Sequence, residues 1–505
     1  MLPIAELDLP PGRVIEWVVR PSSENDSAMG AVESTKRPSF TQELYYHLIE
    51  WQSRLHSGRL AVWVAATFEI DGPVELNALR ETFRQLLARH EVLRTEFRMR
   101  PGQDGTHGLV GLLVCDVLHP DTLVLDETEV GVFQQVESLR EALIERIDKT
   151  IDTNRGPVML MGVVIGAERS VAYIVCDHLV TDGFSCAIKA HELSVIYESA
   201  VNGEPVELPE VGSYLDYGRQ EYEEVGKVQP DDPRVELWRG FVRRNGHVFT
   251  EFPIELNTKK GAWHPAMVDV IQVLDASKAE VFERLCRAQG AGVVPGLLAV
   301  NGIALHEIGA RGVLRTVMPV AQRRAPQWRN AVGWYVSLVP LEVPMAGVDE
   351  FAGVLASAHR TFRTALAAAD LPLASLFIHL GTQYLPVNGF FDLKPQTHFS
   401  YIDYRKLPGA VQAERCRQTT ALRVMTTSDA RTWYFRTLEG IYMFNNFIDT
   451  PRAREVLAAY EASVRGVLTN LLDRHPVTHR APESELQHDS PERPSAHPAA
   501  TFRAA

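Results

Sequence analysis

The chain has 505 residues, 45% hydrophobic and 23% charged, an ordinary globular composition with material for roughly two to four domains. A formal net charge of −13 offers no general basic surface, so nucleic acid and anionic lipid are not expected partners. The five cysteines lie far apart with no C-x-x-C pair, which argues against a zinc ribbon or a disulfide framework and for a reducing, cytoplasmic setting.

In chain order, residues 1–36 read as an extended lead-in. It begins MLPIAELDLPPGRVIEW, without the basic start and apolar core of a signal peptide. Within it LPPGRVIEWVV suits an edge strand, and SSENDSAMGAVESTKRP has the composition of a loop. The segment VELNALRETFRQLLARH places Leu76, Leu79, Phe83, Leu86 and Leu87 on one helical face. Further helix patterns are SLREALIERIDKTI, SCAIKAHELSVIYESA, KAEVFERLCRAQ, VPGLLAVNGIALHEIG, FAGVLASAHRTFRTALAAA and RAREVLAAYEASVRGVLTNLL. Strand patterns are LAVWVAATFEI, VMLMGVVIG, VAYIVC, AMVDVIQVL, LRTVMPV, WYVSLVPLEV and TWYFRTLEGIYM. No apolar run approaches the ~20 residues of a membrane helix, so no transmembrane segment is expected. Mixed helices and strands in two halves imply two α/β domains, 37–220 and 221–473, joined near the polar VGKVQPDDPR. Residues 474–505 are too poor in apolar side chains to offset the entropy of ordering them.

The stretch CDHLVTDGFS, Cys176 to Ser185, follows the strongly apolar VAYIVC. That run reads as a strand buried on both faces, and the helix pattern after it makes DHLVTDG the connecting turn. Loops at strand ends are where rigid scaffolds present reactive groups. Straight strand would hold His178 and Asp182 about 13 Å apart, so the turn decides their separation, and Gly183 is expected to supply unusual backbone angles there. Two readings stand side by side. His178 is a presented reactive group, or it is a polar strand end with Asp182 or Ser185 capping the helix.

The H-x-x-x-D-G pattern of His178, Asp182 and Gly183 resembles the signature of the condensation-domain superfamily. That group includes the condensation domains of nonribosomal peptide synthetases, chloramphenicol acetyltransferase-like enzymes and polyketide-associated (Pap-type) acyltransferases. Other segments match in order: RPSFTQ (37–42), ARHEVLRTEFR (88–98), YLDYGRQEY with LWRGF, MPVAQRRAPQWRNAVGWYVSLVPLEV (318–343) and GIYMFNNFID. LPPGRVIEW and the standalone length resemble the Pap-type enzymes that esterify trehalose-type glycolipids. In two places the chain departs from the superfamily: Asp177 stands where a first histidine is common, and Ser337 where an asparagine is.

The resemblance implies two chloramphenicol acetyltransferase-like α/β domains forming a V-shaped pseudo-dimer, with the active-site tunnel between them. It implies acyl transfer from a thioester, acyl-coenzyme A or a phosphopantetheinyl carrier protein, to a small-molecule hydroxyl or amine. No cofactor and no metal are expected to be bound. His178 would be the general base, since a neutral imidazole suits proton abstraction at neutral pH. Gly183 would offer an oxyanion N–H, and Asp182 would form a structural ion pair with Arg323, or with Arg324. Trp334, Ser337 and Ser400 would be substrate-binding positions: Trp334 and Ser337 fall in the family's long second-half segment, and Ser400, in THFSYIDY, falls where the family has a loop near the tunnel. Trp334 and Tyr335 read as core or tunnel wall, and His90 as structural. The arginines of RVELWRGFVRR and AQRRAPQWR are expected on solvated surface or on the phosphates of the donor. A freestanding peptide-synthetase-type condensation enzyme and a catalytically silent docking module are the alternative functions. No Gly-rich phosphate loop, dinucleotide fingerprint, H-E-x-x-H or G-x-S-x-G pattern occurs.

Overall fold

Two sheet-bearing lobes make up an α/β fold in the computed structural model, which describes residues 2–21, 32–55, 62–99, 113–258, 263–381 and 397–474. The expected tail beyond Arg474 and the stretch 22–31 of the lead-in lie outside them. The first lobe is built on a seven-stranded sheet. Its order is Leu2–Pro3, Thr419–Val424, Val62–Asp71, Arg169–Asp177, Met159–Ile165, Gly12–Pro21 and Leu123–Phe133. All pairings but the first are antiparallel.

The expected edge strand of the lead-in is Gly12–Pro21, and it lies inside the sheet with a partner on each side. Its alternation explains the place. Ile15 and Trp17 enter one apolar cluster and Val14 the cluster on the opposite face, so both faces need cover. Glu16 is fully buried among them and is held by Arg146 and by the Tyr173 hydroxyl at 3.0 Å. The half-exposed Leu123–Phe133 takes the edge instead.

The second lobe carries a five-stranded sheet ordered Phe399–Asp403, Arg431–Arg436, Gly440–Ile448, His264–Asp275 and Thr426–Thr427. TWYFRTLEGIYM, expected as one strand, is a hairpin closed by Thr437 N–H on the Gly440 carbonyl at 2.9 Å. Gly440 sits at φ +150°, and a Cβ there would fall 2.0 Å from the Leu274 oxygen, so only glycine passes. A two-stranded ribbon, Gly312–Ala321 with Val336–Met345, touches this sheet through a bridge between Val317 and His398.

The lobes share material. Thr419–Val424, from the second half of the chain, pairs with Val62–Asp71 inside the first sheet. Ala331, Val332, Tyr335, Phe435 and Phe444 pack into the first lobe's core.

Helix Leu76–Arg89 buries Leu79, Phe83, Leu86 and Leu87 as its periodicity predicts, with Leu76 half-buried at its start. On helix Tyr214–Val225, buried Glu221 accepts the Phe40 N–H at 3.2 Å and also bonds the Leu373 backbone, at the starts of two other helices. Burial pushes its carboxyl from 4.5 up to about 7. The folded state therefore binds more protons than the unfolded state between those values, so this group's contribution to stability falls as pH rises through them. Glu221→Gln keeps an acceptor but cannot ionise. Its melting temperature is expected to gain on wild type between pH 5 and pH 8, by an amount corresponding to at most about 3 kcal/mol.

Strand Arg169–Asp177 is buried throughout except at Arg169 and is flanked on both sides, by Val62–Asp71 and Met159–Ile165. One tight turn, His178–Val180, follows it, and then helix Gly183–Asn202, which ends at Gly203 with φ +69°. Gly183 is the first helical residue and is not among the glycines with positive φ. The unusual angles expected of it are not used, because Asp182 turns the chain from an ordinary extended conformation, φ −133° and ψ −179°.

Candidate active site

The turn is fixed before any chemistry is considered. Asp182 caps the helix by accepting the Ser185 N–H at 2.7 Å. Its carboxylate also takes two bonds from the Arg323 guanidinium, at 2.6 and 3.0 Å, and the Tyr335 N–H at 3.2 Å. Each oxygen thus has two donors. Arg323 continues to Ser185 Oγ at 2.8 Å and to the carbonyls of Ala331 and Gly333, and it lies 4.4 Å from the Tyr335 ring centroid. The Arg323 and Asp182 side chains are only 6% and 13% exposed. Of the two arginines expected for Asp182, the geometry selects Arg323, while Arg324 faces Asp370 at 3.7 Å.

A second set of bonds comes from RPSFTQ. Ser39 and Gln42 cap their own helix reciprocally, at 3.1 and 3.2 Å. Gln42 Nε2 then donates to the Leu179 carbonyl, inside the turn, at 3.0 Å. Ser39 Oγ bonds the Tyr214 hydroxyl at 2.9 Å, and that hydroxyl donates to the Trp334 carbonyl at 2.9 Å. Gly333 allows the approach, since a Cβ there would fall 2.3 Å from the Tyr214 ring. His90 is a tie between segments. It pairs with Glu192 of the motif helix at 2.7 Å, and its other nitrogen accepts the Val332 N–H at 3.4 Å.

His178 therefore stands on a turn held by both lobes. Its ring centroid is 4.2 Å from Trp334 and 6.4 Å from Tyr45, and the latter two meet edge-on at 5.3 Å. Among the described residues no other group bonds His178 Nδ1. Burial lowers the pKa of the ring from 6.5. Its own backbone carbonyl and Asp182 oppose that shift, and Lys189 and Arg431 add to it. The imidazole is neutral at physiological pH. Asp177 is engaged elsewhere, accepting Thr153 Oγ1–H at 2.6 Å and the Leu179 N–H at 2.8 Å. Burial pushes its carboxyl up to about 6.

Three neighbours were not foreseen in the sequence. Tyr45 comes from helix Phe40–Leu55, and His398 and Arg431 come from the second lobe. His398 lies 4.8 Å from Trp433, centroid to centroid. Its pKa falls well below 6.5 through burial and the charges of Arg431 and His178. Burial also lowers Arg431, to about 10, against the pull of Asp429. His178, Trp334, His398, Arg431 and Trp433 form a cluster in which each keeps partial exposure.

The remaining expected residues stand apart from this cluster or at its border. Ser337 is buried and donates to the Leu371 carbonyl at 2.8 Å, which leaves its hydroxyl proton engaged. Ser400 lies buried on strand Phe399–Asp403, two residues beyond His398. Of the arginines in RVELWRGFVRR, Arg234 pairs with Asp232 and Asp370, Arg239 with Glu236, and Arg244 with Glu342. Among the described residues no group of three or more His, Cys, Asp or Glu side chains is placed to hold a metal ion. No single described helix is long and apolar enough to cross a membrane.

A model of the condensation domain matches residues 45–393. The chain belongs to the condensation-domain family. It is 26% identical over 472 residues to the 2'-acyl-2-O-sulfo-trehalose (hydroxy)phthioceranyltransferase PapA1 of Mycobacterium tuberculosis, covering 92% of this chain and 87% of PapA1. Over 411 residues it is 25% identical to the acyltransferase PapA3 of the same species, covering 80% and 82% of the two chains. The solved PapA2 acyl transferase superposes with a TM-score of 0.79 at 19% identity, over 93% of this chain and 98% of that one. The first condensation domain of the calcium-dependent antibiotic synthetase superposes with a TM-score of 0.62 at 18% identity, over 86% and 96%. This condensation-domain protein is an acyltransferase, close to the Pap-type enzymes of lipid and polyketide biosynthesis.

Proposed function

We propose that the protein moves an acyl group from a thioester of coenzyme A or of a carrier protein to a hydroxyl, forming an ester, with His178 as general base. The observation that carries this is a neutral, partly exposed imidazole at the mouth of a buried strand whose Nδ1 takes no carboxylate. Asp182 is fully engaged by Arg323, Ser185 and Tyr335, so no triad forms and His178 acts alone. It takes the acceptor's proton as the oxygen attacks the thioester carbon. The C–S bond then breaks, and the imidazolium returns the proton to the departing thiolate.

Among the described residues near His178, Cys176, Cys186 and Ser185 do not suit a covalent acyl-enzyme. Burial raises the Cys176 thiol and pushes Cys186 up to about 11, and a thiol is a poor nucleophile. Ser185 Oγ donates to the Gly333 carbonyl at 2.8 Å. Gly183, as the first helical residue, carries an N–H with no acceptor within its own helix, which suits an oxyanion.

In this reading the cluster around His178 lines the waist of a tunnel between two acetyltransferase-like domains, divided near 220, in a V-shaped arrangement. Donor and acceptor enter it from opposite ends, in the cytoplasm. By their names, PapA1 acts on an acylated 2-O-sulfo-trehalose and PapA2 on trehalose-2-sulfate. A sugar hydroxyl is the acceptor class carried over to this chain, and Arg431 in the cluster suits an acceptor bearing negative charge.

The test is a matrix of acyl-coenzyme A and acyl-carrier-protein thioesters against sugar, alcohol and amine acceptors, with products identified by mass spectrometry. Ester products with hydroxyl acceptors support the reading, and products from amines alone overturn it. With a working pair, kcat/KM is expected to fall on the acid side with an apparent pKa below 6.5, because the base must be unprotonated.

A further inference from the structure

Lys189 is fully buried on helix Gly183–Asn202, an expensive place for an ammonium group. Among the described residues its bonds go to no carboxylate. Nζ donates to Thr181 Oγ1 at 3.0 Å and to Cys176 Sγ at 3.1 Å. Those two acceptors bracket His178. Cys176 ends the apolar run of the strand two residues before it, and Thr181 closes the turn three residues after it.

A methionine of similar length would fill the same space without a buried charge. A lysine here is therefore a liability to stability unless the turn needs it. Burial works against the ammonium, and the Cys176 and Cys186 sulfurs with the Asp182 carboxylate outweigh that effect.

We propose that Lys189 is a positioning residue for acyl transfer: its ammonium ties both ends of the turn that carries His178 and places a fixed positive charge behind the imidazole. Among the described residues, the other charged or titratable groups around His178 are Asp182 at the cap of the motif helix, Tyr45 on helix Phe40–Leu55, and Arg431 with His398 from the second lobe, while Asp177 is engaged by Thr153 and the Leu179 N–H. Of these, Asp182 favours the protonated ring, while Lys189 and Arg431 oppose it. Removing Lys189 takes away one of the two opposing charges and leaves Asp182 in place.

This inference rests on His178 being the base. The test is Lys189→Met in the full chain, with melting temperature, kcat, KM and the pH profile measured using the working substrate pair. The expected result is an unchanged or higher melting temperature and a kcat at least ten-fold lower. KM for both substrates should stay within two-fold, and the acid limb of kcat/KM should move to higher pH. A folded Lys189→Met enzyme with wild-type kcat, or with an unmoved acid limb, overturns the proposal.

If Lys189→Met does not fold, Thr181→Val carries the test, since it leaves the ammonium and removes one acceptor. Reduced kcat at wild-type melting temperature supports the tie, and wild-type kcat overturns it. An inactive His178→Ala enzyme alongside a fully active Lys189→Met enzyme rejects this inference alone, whereas an active His178→Ala enzyme rejects the base assignment itself.

Discussion

His178→Ala is expected to lower kcat by about 10²–10⁴-fold, the range of a lost general base, while moving the melting temperature by no more than a few degrees. The imidazole contributes little to folding. Among the described residues no other group bonds its Nδ1, and its nearest ring partner is Trp334 at 4.2 Å, a contact of about 1 kcal/mol. The turn beneath it is held by other residues: Gln42 on the Leu179 carbonyl, Asp177 on the Leu179 N–H and Asp182 on the helix start. Binding of donor and acceptor should survive, so KM changes far less than kcat. Steady-state kinetics beside a thermal melt checks this.

Asp182→Ala is expected to do the reverse. The lost carboxylate takes with it the two Arg323 bonds, the helix cap and the Tyr335 N–H contact. It leaves a guanidinium that is 6% exposed with, among the described residues, only the Ser185 hydroxyl and two backbone carbonyls as acceptors. Breaking a buried pair this way costs about 3–5 kcal/mol, and the cap adds about 1 kcal/mol. Asp182→Ala should melt many degrees lower or fail to accumulate as soluble protein. Arg323→Ala should behave alike, and the double variant should be much less destabilised than the sum of the two, because the second removal relieves an orphaned charge. The check is a denaturant-unfolding cycle over the four proteins. Additive losses would mean that the pair does not act as a unit.

The contrast between these variants depends on what could be read from the chain. The strand–turn–helix around His178 was legible because a run buried on both faces followed by a polar turn has few other interpretations. The Asp182–Arg323 pair was legible only through the family resemblance, since 141 positions separate its members. Tyr45, His398 and Arg431 carry no local pattern at all. They meet His178 only because the fold brings helix Phe40–Leu55, the start of strand Phe399–Asp403 and strand Arg431–Arg436 together. Lys189 was hidden for a different reason. One lysine in a helix reads as its solvated face, whereas this helix is packed on nearly every side and buries Lys189 and Glu192 as well.

The edge placement of LPPGRVIEWVV failed because nothing within the segment names its two lateral partners, Leu123–Phe133 and Met159–Ile165, which lie more than 100 residues away. The hairpin in TWYFRTLEGIYM was missed because its turn, Leu438 to Gly440, is short. Only Gly440 marks it, and the reason for glycine there is the Leu274 carbonyl of a distant strand.

The central claim is that the acyl group passes straight from thioester to acceptor oxygen under the His178 base. The most direct measurement is a single-turnover reaction with an isotopically labelled acyl thioester and a hydroxyl acceptor, followed by intact-protein and product mass spectrometry in wild type and His178→Ala. The account predicts labelled ester from wild type, an unlabelled protein at every time point, and no ester above background from His178→Ala. A labelled acyl-protein that forms and decays on the way to ester, or undiminished ester from His178→Ala, would contradict it.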